Sequence, residues 1–114
     1  MITIRKATLQ DLEELTILFD AYRQFYKQPG DLLAARDFLK ERLLQNESVI
    51  FIALNETQAI GFTQLYPIFS SVSLKKAWLL NDLYVHPDAR RSGAAEALLT
   101  AAREYGKSTG AKWL

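Results

Sequence analysis

The run from Leu83 to Arg103, LYVHPDARRSGAAEALLTAAR, changes its period halfway along, and this constrains the fold more than any other stretch. Up to Val85 it completes a strand-like segment, AWLLNDLYV, which His86-Pro87 breaks. From Ser92 to Thr109, Ala95, Leu98, Leu99, Ala102 and Tyr105 recur at helical spacing, and Glu96, Thr100, Arg103, Glu104 and Lys107 form the wet face. Gly110 is a stop signal, and AKWL opens another strand. Strand, helix and strand in this order predict a parallel pair joined by a right-handed crossover.

Upstream, ITIRKA alternates apolar and polar residues and reads as a first strand. Thr8 caps the next helix, with Asp11 completing an aspartate version of a capping box. Leu12, Leu15, Leu18, Phe19, Tyr22 and Phe25 recur at helical spacing, the helix ending near Tyr26 before the break KQPGD. Asp31 starts a second helix with Leu32, Leu39 and Leu43 on one stripe. The β-branched and aromatic run from Ser48 to Leu54 predicts a strand covered on both faces. NETQ then turns the chain into a hairpin partner, AIGFTQLYPIF, where Pro67 marks an edge or a bulge. SSVSLKK is a loop. The order β-α-α-β-β-β-α-β, without repeat or linker, predicts a single α/β domain over residues 1–114, its mixed sheet antiparallel in the middle.

Composition narrows the functions. A formal net charge of +1 with dispersed Lys and Arg leaves no footprint for nucleic acid. The chain has no cysteine and one histidine without HExxH-like spacing, so neither a thiolate nucleophile nor a metal site is expected. The start is not leader-like and no stretch is apolar for long enough to span a bilayer, so a cytoplasmic protein without membrane partners is the default expectation.

A helix starting at Ser92 leaves its first N–H groups unbonded and carries partial positive charge there. Gly93 admits a ligand close to the backbone, and Arg90 and Arg91 add fixed charge. Together they form a candidate site for phosphate or pyrophosphate, arginine holding two oxygens at once. A solvated turn with a glycine for tight packing explains the same residues. The spacing is neither GxGxxG nor GxxxxGK[ST], which excludes dinucleotide and P-loop readings.

Val85-His-Pro-Asp-Ala-Arg90-Arg91-Ser92-Gly93-Ala94-Ala95, followed by Leu98-Leu99, closely resembles the acetyl-CoA signature of the GNAT family of N-acetyltransferases. That family's pattern is [Q/R]-x-x-G-x-[G/A] after a strand ending in V-x-P; Arg90, Gly93 and Ala95 fill the defined positions. The resemblance extends to the opening IRKAT, to IGFTQLY and to the element order. It implies an acetyl-CoA-dependent transferase acting on a primary amine, with no metal. Backbone N–H groups from Arg91 through Ser92, Gly93 and Ala94 to Ala95 would hold the pyrophosphate of CoA. The pantetheine arm would pair along Leu83, Tyr84 and Val85, and the Leu83 backbone N–H would polarise the thioester carbonyl.

A lysine-like amine is protonated at neutral pH, and freeing it costs about 4–5 kcal/mol, which a nearby carboxylate relieves. Asp82 is the leading candidate, with Asn81 beside it. Strict alternation would let only one of them face the acetyl group, because Asn81 falls with Leu83 and Val85, and Asp82 with Leu80 and Tyr84. Asp82 has a second reading, a structural acid bonded to backbone or to a lysine. Many diamine-acetylating relatives carry Glu-Asp where this chain has Asn81-Asp82, a departure that argues against a diamine acceptor. Tyr22, Arg23, Tyr26 and Tyr66, with Phe69, are candidates for the acceptor pocket, an aromatic wall that would hold a cationic amine; core packing explains each singly. His86 reads as a loop residue.

The family's further helix and strands, which commonly bring a tyrosine that protonates the CoA thiolate, do not follow GAKWL. The expectation is a sheet ending on an open parallel edge, suited to a homodimer or a strand-completing partner. Two functions stay open at this point: an N-acetyltransferase, and a CoA-binding or oligomerising fragment without turnover.

Overall fold

The computed structural model describes residues 1–113. Strand β1 (Ile2–Lys6) is tied to the helix that follows by the predicted cap. The Asp11 carboxylate accepts the Thr8 N–H at 2.8 Å and both guanidinium nitrogens of Arg5 at 2.8 Å. Those Arg5 bonds hold the Asp11 carboxyl below its ordinary value. A short 3-10 turn, Leu9–Asp11, leads into α1 (Leu12–Phe25). Helix α2 (Leu32–Leu44) starts where Asp31 accepts the Ala34 N–H at 3.0 Å. Its buried stripe runs through Ala35 and Leu39, and Leu43 is half-buried. The predicted stripe is corrected at Leu32, 55% exposed, whose first-turn position falls outside this contact.

Strands β2 (Val49–Asn55), β3 (Gln58–Ser70), β4 (Lys75–Val85) and β5 (Lys112–Trp113) complete one sheet in the order β1-β2-β3-β4-β5. The first four strands are antiparallel and β5 runs parallel to β4, as the order of elements predicts; Leu114 lies outside the described residues. Strand β2 is buried from Val49 to Leu54 because both faces are covered. Ile50, Ile52 and Leu54 pack with Leu15, Phe19 and Leu39 of α1 and α2. Val49, Phe51 and Ala53 pack with Leu98 and Ala102 of α3 (Ala94–Ser108).

Pro67 sits where β3 has outrun β2, whose ladder ends at Val49 opposite Leu65, so the missing N–H leaves no gap on that side. The register shifts lie elsewhere, one leaving Ile60 of β3 extra opposite Ala53 and Leu54 of β2, the other between β3 and β4. Pairing passes from Gln64↔Asp82 to Leu65↔Leu80, leaving Asn81 as the extra residue of β4. Helix α3 starts two residues later than its periodicity predicts, because Arg91 (φ 68°) and Gly93 (φ 88°) are left-handed. It ends in a Schellman motif: the Ala111 N–H donates to the Gly106 carbonyl and that of Gly110 (φ 67°) to Lys107, each at 3.1 Å. Among the described residues no helix is long and apolar enough to cross a membrane.

Candidate active site

The bulge decides what the end of β4 presents. Strict alternation would set Leu80 with Asp82 and only one of Asn81 and Asp82 toward a ligand. The extra residue breaks that alternation. Leu80 and Leu83 both pack toward α3, Tyr84 packs toward α1, and Asn81 and Asp82 line the same cavity. The expectation that one of the two must turn away is therefore corrected.

That cavity has a volume of about 470 Å³ and lies between α1, α2 and the β3–β4 pair. Tyr22, Arg23 and Tyr66 line it, as predicted, with Asn81 and Asp82. Two predicted members lie elsewhere. Tyr26 stands one turn further along α1 and lines a neighbouring cleft of about 260 Å³ with Phe25, Leu83, Tyr84, Val85 and Arg90. Phe69 is 80% exposed, out where β3 has passed β2. The apolar wall of Phe19, Ala34, Ala35 and Phe38 was not anticipated. Phe38 stacks on Phe19 with centroids 5.7 Å apart and planes at 8°. The spacing Ala35-x-x-Phe38 was the available signal, hidden by the leucines around it.

Asp82 is 5% exposed. Its Oδ2 accepts Gln64 Nε2 at 2.8 Å and its Oδ1 accepts Asn81 Nδ2 at 3.0 Å. Gln64, fully buried, accepts Ser48 Oγ at 2.7 Å through Oε1, which commits its NH₂ group to Asp82. Thr63 Oγ1 donates to the Asp82 main-chain carbonyl at 2.7 Å. The carboxylate is thus held by two side-chain amides, and no lysine among the described residues pairs with it. Burial first, and then the Asp82 charge, push the Tyr22 hydroxyl well above its ordinary range and that of Tyr66 to about 12. Both phenols therefore face Asp82 as neutral groups at neutral pH.

Toward its C-terminal end, β4 presents a free backbone edge. The Asp82 carbonyl is bonded to Thr63 of β3, and the His86 N–H donates to the Ile60 carbonyl of β3 at 2.7 Å. Backbone groups alternate in direction along a strand, so the Leu83 N–H and the Val85 carbonyl point away from β3. On that side β5 pairs only with Ala77 and Trp78 among the described residues. The edge runs directly into the start of α3, where Arg91, Gly93, Ala94 and Ala95 line a cleft of about 270 Å³. A Cβ on Gly93 would meet nothing within 4 Å, so its place is set by the left-handed backbone and the space in front of it is open. Ser92 Oγ accepts the Ala94 N–H at 3.3 Å. Arg90 differs from Arg91: its Nε donates to the Val85 carbonyl at 3.1 Å, and its guanidinium lies 5.8 Å from the ring centres of both Phe25 and Tyr84. It braces the strand end, whereas Arg91 makes no side-chain bond among the described residues; both are exposed. His86 is a loop residue, as read, its Nδ1 accepting the Asp88 N–H at 3.1 Å.

An open stretch of the β4 edge thus leads into a cationic helix start, beside a cavity with a buried acid. The residue pattern of the acetyltransferase (GNAT) family matches residues 13–114, and the chain belongs to that family. It is 52% identical over 111 residues to the uncharacterized N-acetyltransferase YhfO of Bacillus subtilis strain 168, an alignment covering 97% of this chain and 74% of the relative. The crystal structure of a probable acetyltransferase is 44% identical and superposes with a TM-score of 0.93 over 97% of this chain and 75% of that one. A predicted acetyltransferase of Clostridium acetobutylicum, crystallised with acetyl-CoA, shares the fold at 20% identity, with a TM-score of 0.79 over 100% of this chain and 79% of that one.

Proposed function

We propose that the chain transfers the acetyl group of acetyl-CoA directly to a primary amine of a small molecule, an amino acid or a peptide. The observation that carries this reading is the continuity of the outward N–H groups of Leu83 and Val85 on the β4 edge, where Arg90 Nε takes the Val85 carbonyl, with the open, left-handed start of α3. An extended pantetheine arm fits such an edge as an added strand. The backbone N–H groups from Arg91 to Ala95, with the charge of Arg91, suit a pyrophosphate. The structural neighbour crystallised with acetyl-CoA supports the same assignment.

Four groups of this chain carry the chemistry in this reading. The Leu83 N–H is the donor for the thioester oxygen, on which negative charge grows as the amine attacks. Asp82, fixed by Gln64 and Asn81, attracts the ammonium and takes its proton, directly or through one water. Tyr22 and Tyr66 stay protonated and act as hydrogen-bond partners in the acceptor cavity.

The test is thermal unfolding with and without acetyl-CoA, with thiol release followed over a panel of amines. Acetyl-CoA at about 100 times its Kd raises stability by about 2.7 kcal/mol, and Arg91→Glu, on the surface, reduces that rise while leaving the unliganded midpoint in place. A folded sample with no rise at all refutes the reading. A rise without thiol release from any amine leaves a CoA-binding chain without turnover.

A further inference from the structure

The cavity beside Asp82 has charge at two places. Asp82 supplies a buried negative group at the bulge of β4. Arg23 supplies a positive one from the last turn of α1, half-buried on the same cavity wall. The other arginines close to acids are accounted for: Arg5 pairs with Asp11, Arg36 with Glu13, and Arg42 with Glu41 and Glu47. Among the described residues Arg23 has neither an ion pair within 4.0 Å nor a side-chain hydrogen bond, so it does not neutralise Asp82 across the cavity. A basic residue in the last turn suits the helix dipole, but that alone would favour a solvated position over a cavity wall.

Resting on the acetyltransferase reading, we infer that the acceptor is a free amino acid with an apolar side chain. Its ammonium faces Asp82, its carboxylate faces Arg23, and its side chain lies against Phe19 and Phe38. A cavity of 470 Å³ is about 10 Å across if taken as a sphere, which spans two opposite charges with a small zwitterion between them. Arginine binds a carboxylate through two parallel N–H···O bonds, which fixes the amine relative to Asp82. A diamine or polyamine would bring a second cation against Arg23, in keeping with the amide at Asn81 where a second acid would otherwise stand. In the transfer the amine nitrogen bonds to the acetyl carbon as the carbon–sulfur bond breaks. The ammonium loses two protons in all, one ending on the CoA sulfur and one, by way of Asp82, in solvent.

The experiment uses the whole chain with acetyl-CoA and three acceptors of one shape: free phenylalanine, phenylalaninamide and 2-phenylethylamine. Phenylalanine is expected to have a kcat/KM about 10- to 100-fold above the other two, the difference residing in KM. Arg23→Gln lowers kcat/KM for phenylalanine about 10-fold or more beyond any loss it causes for 2-phenylethylamine, and Arg23→Lys restores part of that difference. Equal use of all three, or a loss shared by all three in Arg23→Gln, overturns the inference. Where no acceptor is turned over, calorimetric titration of the CoA-saturated chain reads the same discrimination. Phenylalanine that does not bind at about 10 mM then overturns it. Failure of the acetyltransferase reading itself is distinct, since it appears as loss of the protection by acetyl-CoA.

Discussion

Replacing Gln64 by leucine keeps the volume of a fully buried side chain and removes both ends of its hydrogen bonding. The Ser48 hydroxyl loses its acceptor at 2.7 Å, and the Asp82 carboxylate loses its donor at 2.8 Å. A buried neutral group left unpaired costs about 1–3 kcal/mol, and a bond to a charged group is worth about 1.5–3 kcal/mol. The Ser48 hydroxyl can rotate, and leucine recovers some apolar burial, so the net expectation is about 2–4 kcal/mol. At about 4 °C per kcal/mol for a chain of this size, the unfolding midpoint falls by about 8–16 °C. Ser48→Ala removes only the anchor and costs about 1 kcal/mol. The double variant is expected to fall short of the sum by about 1 kcal/mol, because both partners of the Ser48 bond are then gone. Urea or thermal unfolding of the four proteins closes the cycle. A Gln64→Leu midpoint within about 2 °C of the parent, or strictly additive losses, would refute the claim that this amide links Ser48 to Asp82. Activity adds a second readout: with Asn81 as its remaining side-chain donor, Asp82 loses orientation, and kcat falls further than KM rises.

Gly93→Ala is expected to lose about 1–2 kcal/mol from the left-handed strain alone, since the new methyl group has open space, and to weaken acetyl-CoA binding; thermal unfolding and calorimetric titration separate the two effects. Tyr66 predicts an alkaline dependence. Its phenol is raised in the folded state from 10.0 to about 12, so the unfolded chain releases that proton first and stability is lost as pH climbs through this window. Tyr66→Phe makes the alkaline limb of midpoint against pH shallower and removes a late-titrating phenol from the ultraviolet titration. An unchanged limb would mean that burial, with the Asp82 charge behind it, does not raise this phenol.

How much of this was legible in the sequence depends on which interactions each feature needs. Elements with local causes were readable: the Thr8–Asp11 cap, the Asp31 cap, the Gly110 stop and the unbroken apolar run of β2. The β4 end and the helix start beyond it were legible for the same reason, because strand, turn, glycine and helix follow one another in the chain. The cavity beside Asp82 was read only in part, since its wall joins α1, α2 and two strands that meet through packing alone. Tyr22 and Tyr26 look equivalent on a helical wheel, yet only Tyr22 reaches the cavity beside Asp82, while both line the neighbouring cleft. The bulge at Asn81 is the clearest case. Nothing local in LLNDLYV marks an unpaired residue, because a bulge belongs to a pair of strands and is fixed by how Gln64 and Leu65 must meet their partners. Period-two reasoning therefore failed at the one position where the chain needs two adjacent polar side chains on one side. Restoring the period by deleting Asn81 would bring Leu80 into register with Asp82 and remove the amide that holds Oδ1. The irregularity in β4 is what lets a strand buried on one face by α3 present both an amide and a carboxylate to the cavity on the other.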